Sequence, residues 1–189
     1  MPSFFFNATV LQAKSYLQTL RHLINKAEVH AKATNTPWAV FTKASLAPDM
    51  HGLPFQVHAA TDAAQRLVSR VRGVEPLDLK HDEEGLDTAD LLGARIDQVL
   101  ALLEEAAADP AGYDAGQDKV VAFNLGPDIS LEAPVRDYAL GFSMPTVAFH
   151  VNATFAILRN RGVQVGKLDY ILPFITENLP QYQEKYGQK

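Results

Sequence analysis

Apolar residues return along the first part of the chain at Phe6, Val10, Ala13, Leu17, Leu20, Ile24, Ala27 and Ala31, with spacings that alternate between four and three. A helix with this stripe presents one narrow apolar seam, as helices packed at shallow angles in bundles do. Lys14, Arg21, Lys26 and Glu28 fall between the rows and mark the solvent side. The pattern breaks at Asn35-Thr36-Pro37. Thr36 suits a cap and Pro37 a first helical position, so Trp38 to Lys43 is expected as a short helix. Fours and threes resume at Leu53, Val57, Ala60, Ala64, Leu67 and Val71, predicting a second long helix from Leu53 to Arg72, stopped by Gly73. A third stripe runs through Ala89, Leu92, Ile96, Val99, Leu103 and Ala106. Asp87 is its expected cap, with Asp90 three residues on, and it closes near Asp109-Pro110.

Between the second and third helices, residues 74–86 are polar and acidic and suit a solvated connector. The period changes over residues 119–132. Val121, Phe123 and Leu125 alternate with polar or small neighbours, and Gly126-Pro127-Asp128 supplies a turn, so a β-hairpin is expected. A fourth helical region is expected from Pro134 to Asn160, kinked or restarted at Pro145 and ended by Gly162. From Pro173 onward the chain is expected to be a polar tail. The predicted fold is therefore all-α: a four-helix bundle over residues 1–172, with a short β-hairpin between its third and fourth helices, and a tail over residues 173–189.

Composition acts mainly by exclusion. The net charge is -5 and the pI about 5.6, with Lys and Arg scattered, so neither nucleic acid nor an anionic membrane surface is an expected partner. There is no cysteine, which removes disulfides, thiolate metal sites and a cysteine nucleophile. No run approaches the roughly 18 apolar residues of a membrane span. Residues 1–7 lack the features of a signal peptide, and a cytoplasmic location is expected.

The candidate chemistry lies on the fourth helix. At about 100° per residue, His150 shares a face with Ser143, Thr146 and Thr154. The opposite face, with Ala148, Val151 and Phe155, is apolar too, so the helix is expected to be buried all round. Buried polar side chains need partners. Two readings follow: a polar pocket in which His150 acts as general base, proton donor or ligand, or a core histidine satisfied by a carbonyl or hydroxyl. Gln56 lies on the core side of the second helix. His58 and Asp62, four apart, turn away from its stripe and suit a pair that faces solvent, a loop or a subunit partner. Asp49 suits a cap for the second helix, and Arg159, Lys167 and Asp169 suit ion pairs that fasten the C-terminal segment. Gly162 to Lys167 is not a phosphate loop: the glycines are too close, and Leu168 stands where Ser or Thr is needed.

Two groups of short motifs carry a resemblance. The first is Leu46-Ala47-Pro48-Asp49-Met50 with Gln56-Val57, Ala60 and Asp62. The second is Phe149-His150, Ala156-Ile157-Leu158-Arg159, Gly162-Val163, Gly166-Lys167 and Asp169. Their order and spacing resemble a domain-of-unknown-function family in the DinB/YfiT-like superfamily of four-helix bundles. The resemblance implies a divalent metal held by three histidines, one on the second helix and two spaced four apart on the fourth. His150 matches one of the latter pair, but the position four earlier is Thr146, and His58 is the nearest match on the second helix. With His58 and His150 as the only candidates, no tightly held transition metal is expected. Three functions stand side by side: a small-molecule binder or enzyme with a core pocket around His150, a non-catalytic homodimeric bundle, and a divalent-metal-dependent enzyme with an incomplete histidine triad.

Overall fold

The first stripe becomes one continuous helix over residues 4–34, called α1, in a computed structural model that describes residues 3–79, 87–179 and 181–182. It opens as an α turn over Phe4–Phe6, widens to a π turn over Asn7–Leu11 and runs on as α-helix over Gln12–Thr34. The Ser3 hydroxyl caps its start by accepting the Phe6 amide. Asn35, left-handed with φ 52°, ends it. All eight stripe residues, Phe6 to Ala31, are buried.

Helix α2 is one turn, Ala39–Thr42, within the span expected for it. Helix α3, Leu53–Arg72, ends at Gly73, whose φ of 70° needs no side chain to be accommodated. Helix α4 spans Ala89–Ala107 and is capped by Thr88, not Asp87: the Thr88 hydroxyl accepts from the Leu91 amide. A further turn, α5, covers Pro110–Asp114, with the Asp109 carboxylate accepting from the Gly112 amide. Strands β1, Val120–Asn124, and β2, Ser130–Pro134, form the antiparallel hairpin, with Phe123 opposite Leu131.

Helix α6 occupies residues 135–160 as an α turn (Val135–Tyr138), a π turn (Ala139–Ser143) and an α-helix (Met144–Asn160). It does not restart at Pro145. The donor that proline lacks falls where the hydrogen-bond ladder has just shifted register, so the helix continues. The expectation of a polar tail from Pro173 is corrected in its first part: helix α7 runs over Lys167–Asn178, straight through Pro173. Its apolar positions, Tyr170 and Phe174, lie four apart and pack on the bundle, which periodicity over so short a segment did not reveal. Residues 80–86 of the connector lie outside the described residues, as do residue 180 and residues 183–189.

Four helices surround one core in the order α1, α4, α3, α6, so that α1 and α3 face each other diagonally. Helix α7 lies outside this ring against α1. It is fastened by a small clasp. His22 Nε2 and Lys26 Nζ of α1 both meet Asp169 Oδ1 at 2.9 Å, and Asp169 Oδ2 accepts the Gly166 amide at 2.7 Å. Burial acts to raise the Asp169 pKa, but the hydrogen bonds from His22, Lys26 and Gly166 outweigh it and hold the group well below its ordinary 3.8. Thr19 donates to the Tyr170 carbonyl at 2.8 Å, and Tyr16 meets Phe174 edge-on.

Two predictions follow from this packing. Asp169→Ala is expected to cost roughly 1 kcal/mol at pH 7, kept small by partial exposure, and to speed amide exchange over Lys167–Asn178. Because the folded pKa is depressed, the clasp contributes fully above pH 4 or so and is lost as pH falls further; the gap between wild type and variant should narrow there. Unchanged exchange in α7 would refute the clasp. Gly116, just after α5, is buried, and a Cβ there would lie 2.1 Å from the Val71 carbonyl oxygen. Gly116→Ala should destabilise by about 1–3 kcal/mol in urea unfolding; an unmoved midpoint would contradict that close approach.

Candidate functional site

Helices α3 and α6 pack along an extended interface, and it brings Gln56 to His150. Gln56 sits in the first turns of α3, which starts with Gly52 at the cap and Pro54 just inside. Its side chain is buried, only 2% exposed. Gln56 Nε2 donates to the His51 carbonyl at 2.8 Å, which points Oε1 the other way, towards His150 Nδ1 at 2.7 Å. An amide oxygen only accepts, so Nδ1 of His150 carries the proton and donates. The neutral ring then has its lone pair on Nε2.

The surroundings favour that neutral form. Burial lowers the His150 pKa from its ordinary 6.5, and the positive charge of a protonated His51 lowers it further. His51 stacks on Phe55 at 3.9 Å. Phe55 presents an edge to His150 at 5.9 Å, and Phe149 does so at 5.1 Å. Phe55 and Phe149 are 44% and 57% exposed, so the imidazole is half-buried among aromatic rings that solvent can reach. This arrangement sets a neutral proton acceptor beside aromatic surface that solvent reaches.

The rest of the predicted polar row is spent elsewhere. Thr154 donates to the His150 carbonyl at 3.0 Å, Thr146 to the Phe142 carbonyl at 2.7 Å, and Ser143 across to the Ala63 carbonyl of α3 at 3.0 Å. Two of these are local bonds one turn back along α6. The helical wheel aligned the three hydroxyls with His150, but their protons go to backbone carbonyls.

His58 lies against the connector and α4, not in solvent. The wheel turned it outward, yet it is buried beside Leu79, Leu91 and Arg95. The stripe defined a single buried face, whereas α3 is covered by α6, by α4 and by the start of the connector, where the Leu77 amide donates to Gln65 at 2.9 Å. That burial removes His58 from an exposed helix-face interface. Asp62 is half-buried and accepts from Arg66 at 2.6 Å and from Gln65 at 3.0 Å. Asp49 is exposed and does not cap α3, whose cap position is Gly52. Asp169 fastens α7, while Arg159 and Lys167 are exposed without a carboxylate partner among the described residues. His51 and Phe55 were not singled out by sequence reasoning, and Phe149 entered only within the Phe149-His150 motif. His51 sits in a turn without periodicity, and the two phenylalanines are flagged only by their nearness to Gln56 and His150.

The donors do not make the three-histidine set that the superfamily implies. Thr146 lies four before His150 with its hydroxyl engaged, Gln56 supplies an amide across from it, and His58 faces α4 and the connector. Among the described residues, no three His, Asp or Glu side chains converge closely enough to hold a metal ion. Nor is any described helix long and apolar enough to cross a membrane.

Comparison with known proteins agrees with this architecture. The model of a family described as a domain of unknown function, DUF1993, matches residues 5–171. A comparison with curated proteins finds no match. Among solved structures, the chain is similar to a DinB family member protein from Shewanella denitrificans, at 28% identity and a TM-score of 0.75 over 88% of this chain and 90% of that one. A match over nearly the whole length, on a helical bundle with a hairpin before its last core helix, shows that the chain belongs to the DUF1993 family of DinB-like domains.

Proposed function

We propose that the protein binds a small molecule at the α3–α6 seam and uses His150 Nε2 as its proton acceptor, without a metal. The observation that supports this is the paired bond at Gln56: one amide with both ends committed, to the His51 carbonyl and to His150 Nδ1. A buried amide held at both ends fixes the tautomer and plane of the ring, as second-shell partners of working histidines do. When Nε2 takes a proton from a bound molecule, the Nδ1–H···Oε1 bond stabilises the cation without moving a second proton, since an amide oxygen is a poor base. The exposed rings of Phe55 and Phe149 beside His150 supply apolar contact for the ligand. The absence of a metal from this reading rests on the donor set, which offers an amide and a hydroxyl where imidazoles would be needed.

Nitrogen-15 NMR tests the arrangement. His150 should be protonated on Nδ1 and titrate below 6.5. Its contribution to stability is then complete above pH 6.5 and is lost as pH falls through the range below. Gln56→Leu should abolish the tautomer preference and cost about 1–3 kcal/mol, and Gln56→Glu should raise the titration midpoint. An Nε2-protonated ring would sink the proposal, as would a metabolite library in which no compound shifts His150 signals in a pH-dependent way. Elemental analysis of protein purified without chelator should give no stoichiometric transition metal; stoichiometric zinc or nickel would overturn the metal-free reading.

A further inference from the structure

The hairpin does more than join α4 to α6. Phe123 is the only buried residue of its two strands. It rests on Tyr138 and Phe142 of α6, with ring centroids 4.9 and 5.6 Å away. These three rings form one wall of a recess of about 360 Å³ between the hairpin, α3 and α6.

Helix α3 contributes Arg66 and Arg70, one turn apart, to the lining of the same recess. Their pairing differs. Arg66 Nε donates to Asp62 at 2.6 Å, so its charge is matched. The Arg70 guanidinium is half-buried and lies over the Tyr138 ring, 4.4 Å from its centroid. No carboxylate among the described residues lies within ion-pair distance of it, so the recess keeps one positive charge in excess. Tyr138 also engages Arg70 through a side-chain hydrogen bond, and a guanidinium has donors to spare, so one carboxylate can take two of those left.

From this we infer that the recess is a binding site for a small carboxylate with a flat apolar body. Arg70 takes the carboxylate, and the wall of Phe123, Tyr138 and Phe142 holds the body. Cation–π contact with Tyr138 holds the guanidinium in place before the ligand arrives. Asn124, contributed by the hairpin at the same recess, adds an amide donor. Thr146 has given its hydroxyl proton to Phe142 and can only accept there. The neighbouring Asp62 carboxylate repels a second negative charge, so a monoanion suits the site better than a phosphoryl dianion. The hairpin, which brings Phe123 and Asn124, is thereby part of a site separate from His150.

Benzoate is a direct probe. In proton–nitrogen spectra of the full chain at low ionic strength, benzoate should produce saturable shifts at the Phe123, Asn124 and Tyr138 amides. The neutral isostere benzamide should bind at least about tenfold more weakly, and phenyl phosphate more weakly than benzoate. Arg70→Gln should weaken benzoate at least about tenfold, and Arg70→Lys, which keeps the charge but loses the fork, should fall between them. The inference is overturned by non-saturating shifts, by benzamide binding as well as benzoate, or by an Arg70→Gln variant that binds like wild type. Tighter binding of phenyl phosphate would overturn the carboxylate assignment. Should Arg70→Gln fail to fold, the benzoate and benzamide comparison on the wild-type chain still decides.

Discussion

Helix α3 is enclosed by α4, by α6 and by the start of the connector, and the hydrogen-bond demands of that burial organise the molecule around it. Thirteen of its twenty residues are buried, and Gln56, His58, Thr61, Gln65 and Ser69 are among them. A polar group taken from water into such a setting costs stability unless it is bonded. Gln56 is satisfied by the His51 carbonyl and the His150 ring. Gln65 accepts the Leu77 amide and so holds the connector against the helix. Thr61 bonds the carbonyl one turn back and accepts from Arg95 of α4 at 2.7 Å. The Ser69 hydroxyl has no hydrogen-bond partner among the described residues. One constraint thus orients the candidate base, pins a loop and ties α3 to α4.

That constraint also separates this chain's candidate site from the metal centres its superfamily implies. A glutamine across from His150 accepts a proton-bearing nitrogen and leaves the other nitrogen open; an imidazole in its place would offer a second metal donor instead. The engaged hydroxyl of Thr146 removes the other expected ligand. What remains is a half-buried imidazole, its pKa lowered by burial, between exposed phenylalanine rings.

The two additions to the four-helix ring are secured in contrasting ways. Helix α7 adheres through charge, with one carboxylate shared by His22, Lys26 and a backbone amide, supported by Tyr16 against Phe174. The hairpin adheres through apolar contact, with Phe123 buried and Val121 and Ala133 partly so, and leaves polar and charged side chains of α3 facing the space beneath it. Close packing fills the ring itself, so a recess of useful size forms where an excursion bridges it.

The first three long helices and the hairpin were legible in the residues alone, because each repeats its period over enough positions for one face to be unambiguous; the fourth, apolar on both faces and expected to be buried all round, instead exposes Phe149 and Leu140. The alternating fours and threes on α1 and α3, the Gly73 stop and the alternation at Val121 and Phe123 all correspond to observed elements. His150 and Gln56 could each be placed on an inward-facing side, but their bond joins positions 94 residues apart in sequence, and no local pattern encodes it. Where the sequence misled, it did so at short range or across helices. Helix α7 is short and carries an internal proline, so its seam was too brief to register. His58 was turned outward because a stripe describes contact with one neighbour, while burial depends on how many neighbours surround a helix. The sequence by itself determined the elements and their apolar faces, since periodicity is a property of the chain. The tertiary structure decided which polar side chains meet, because that depends on the order of helices around the core and on where the loops come to rest.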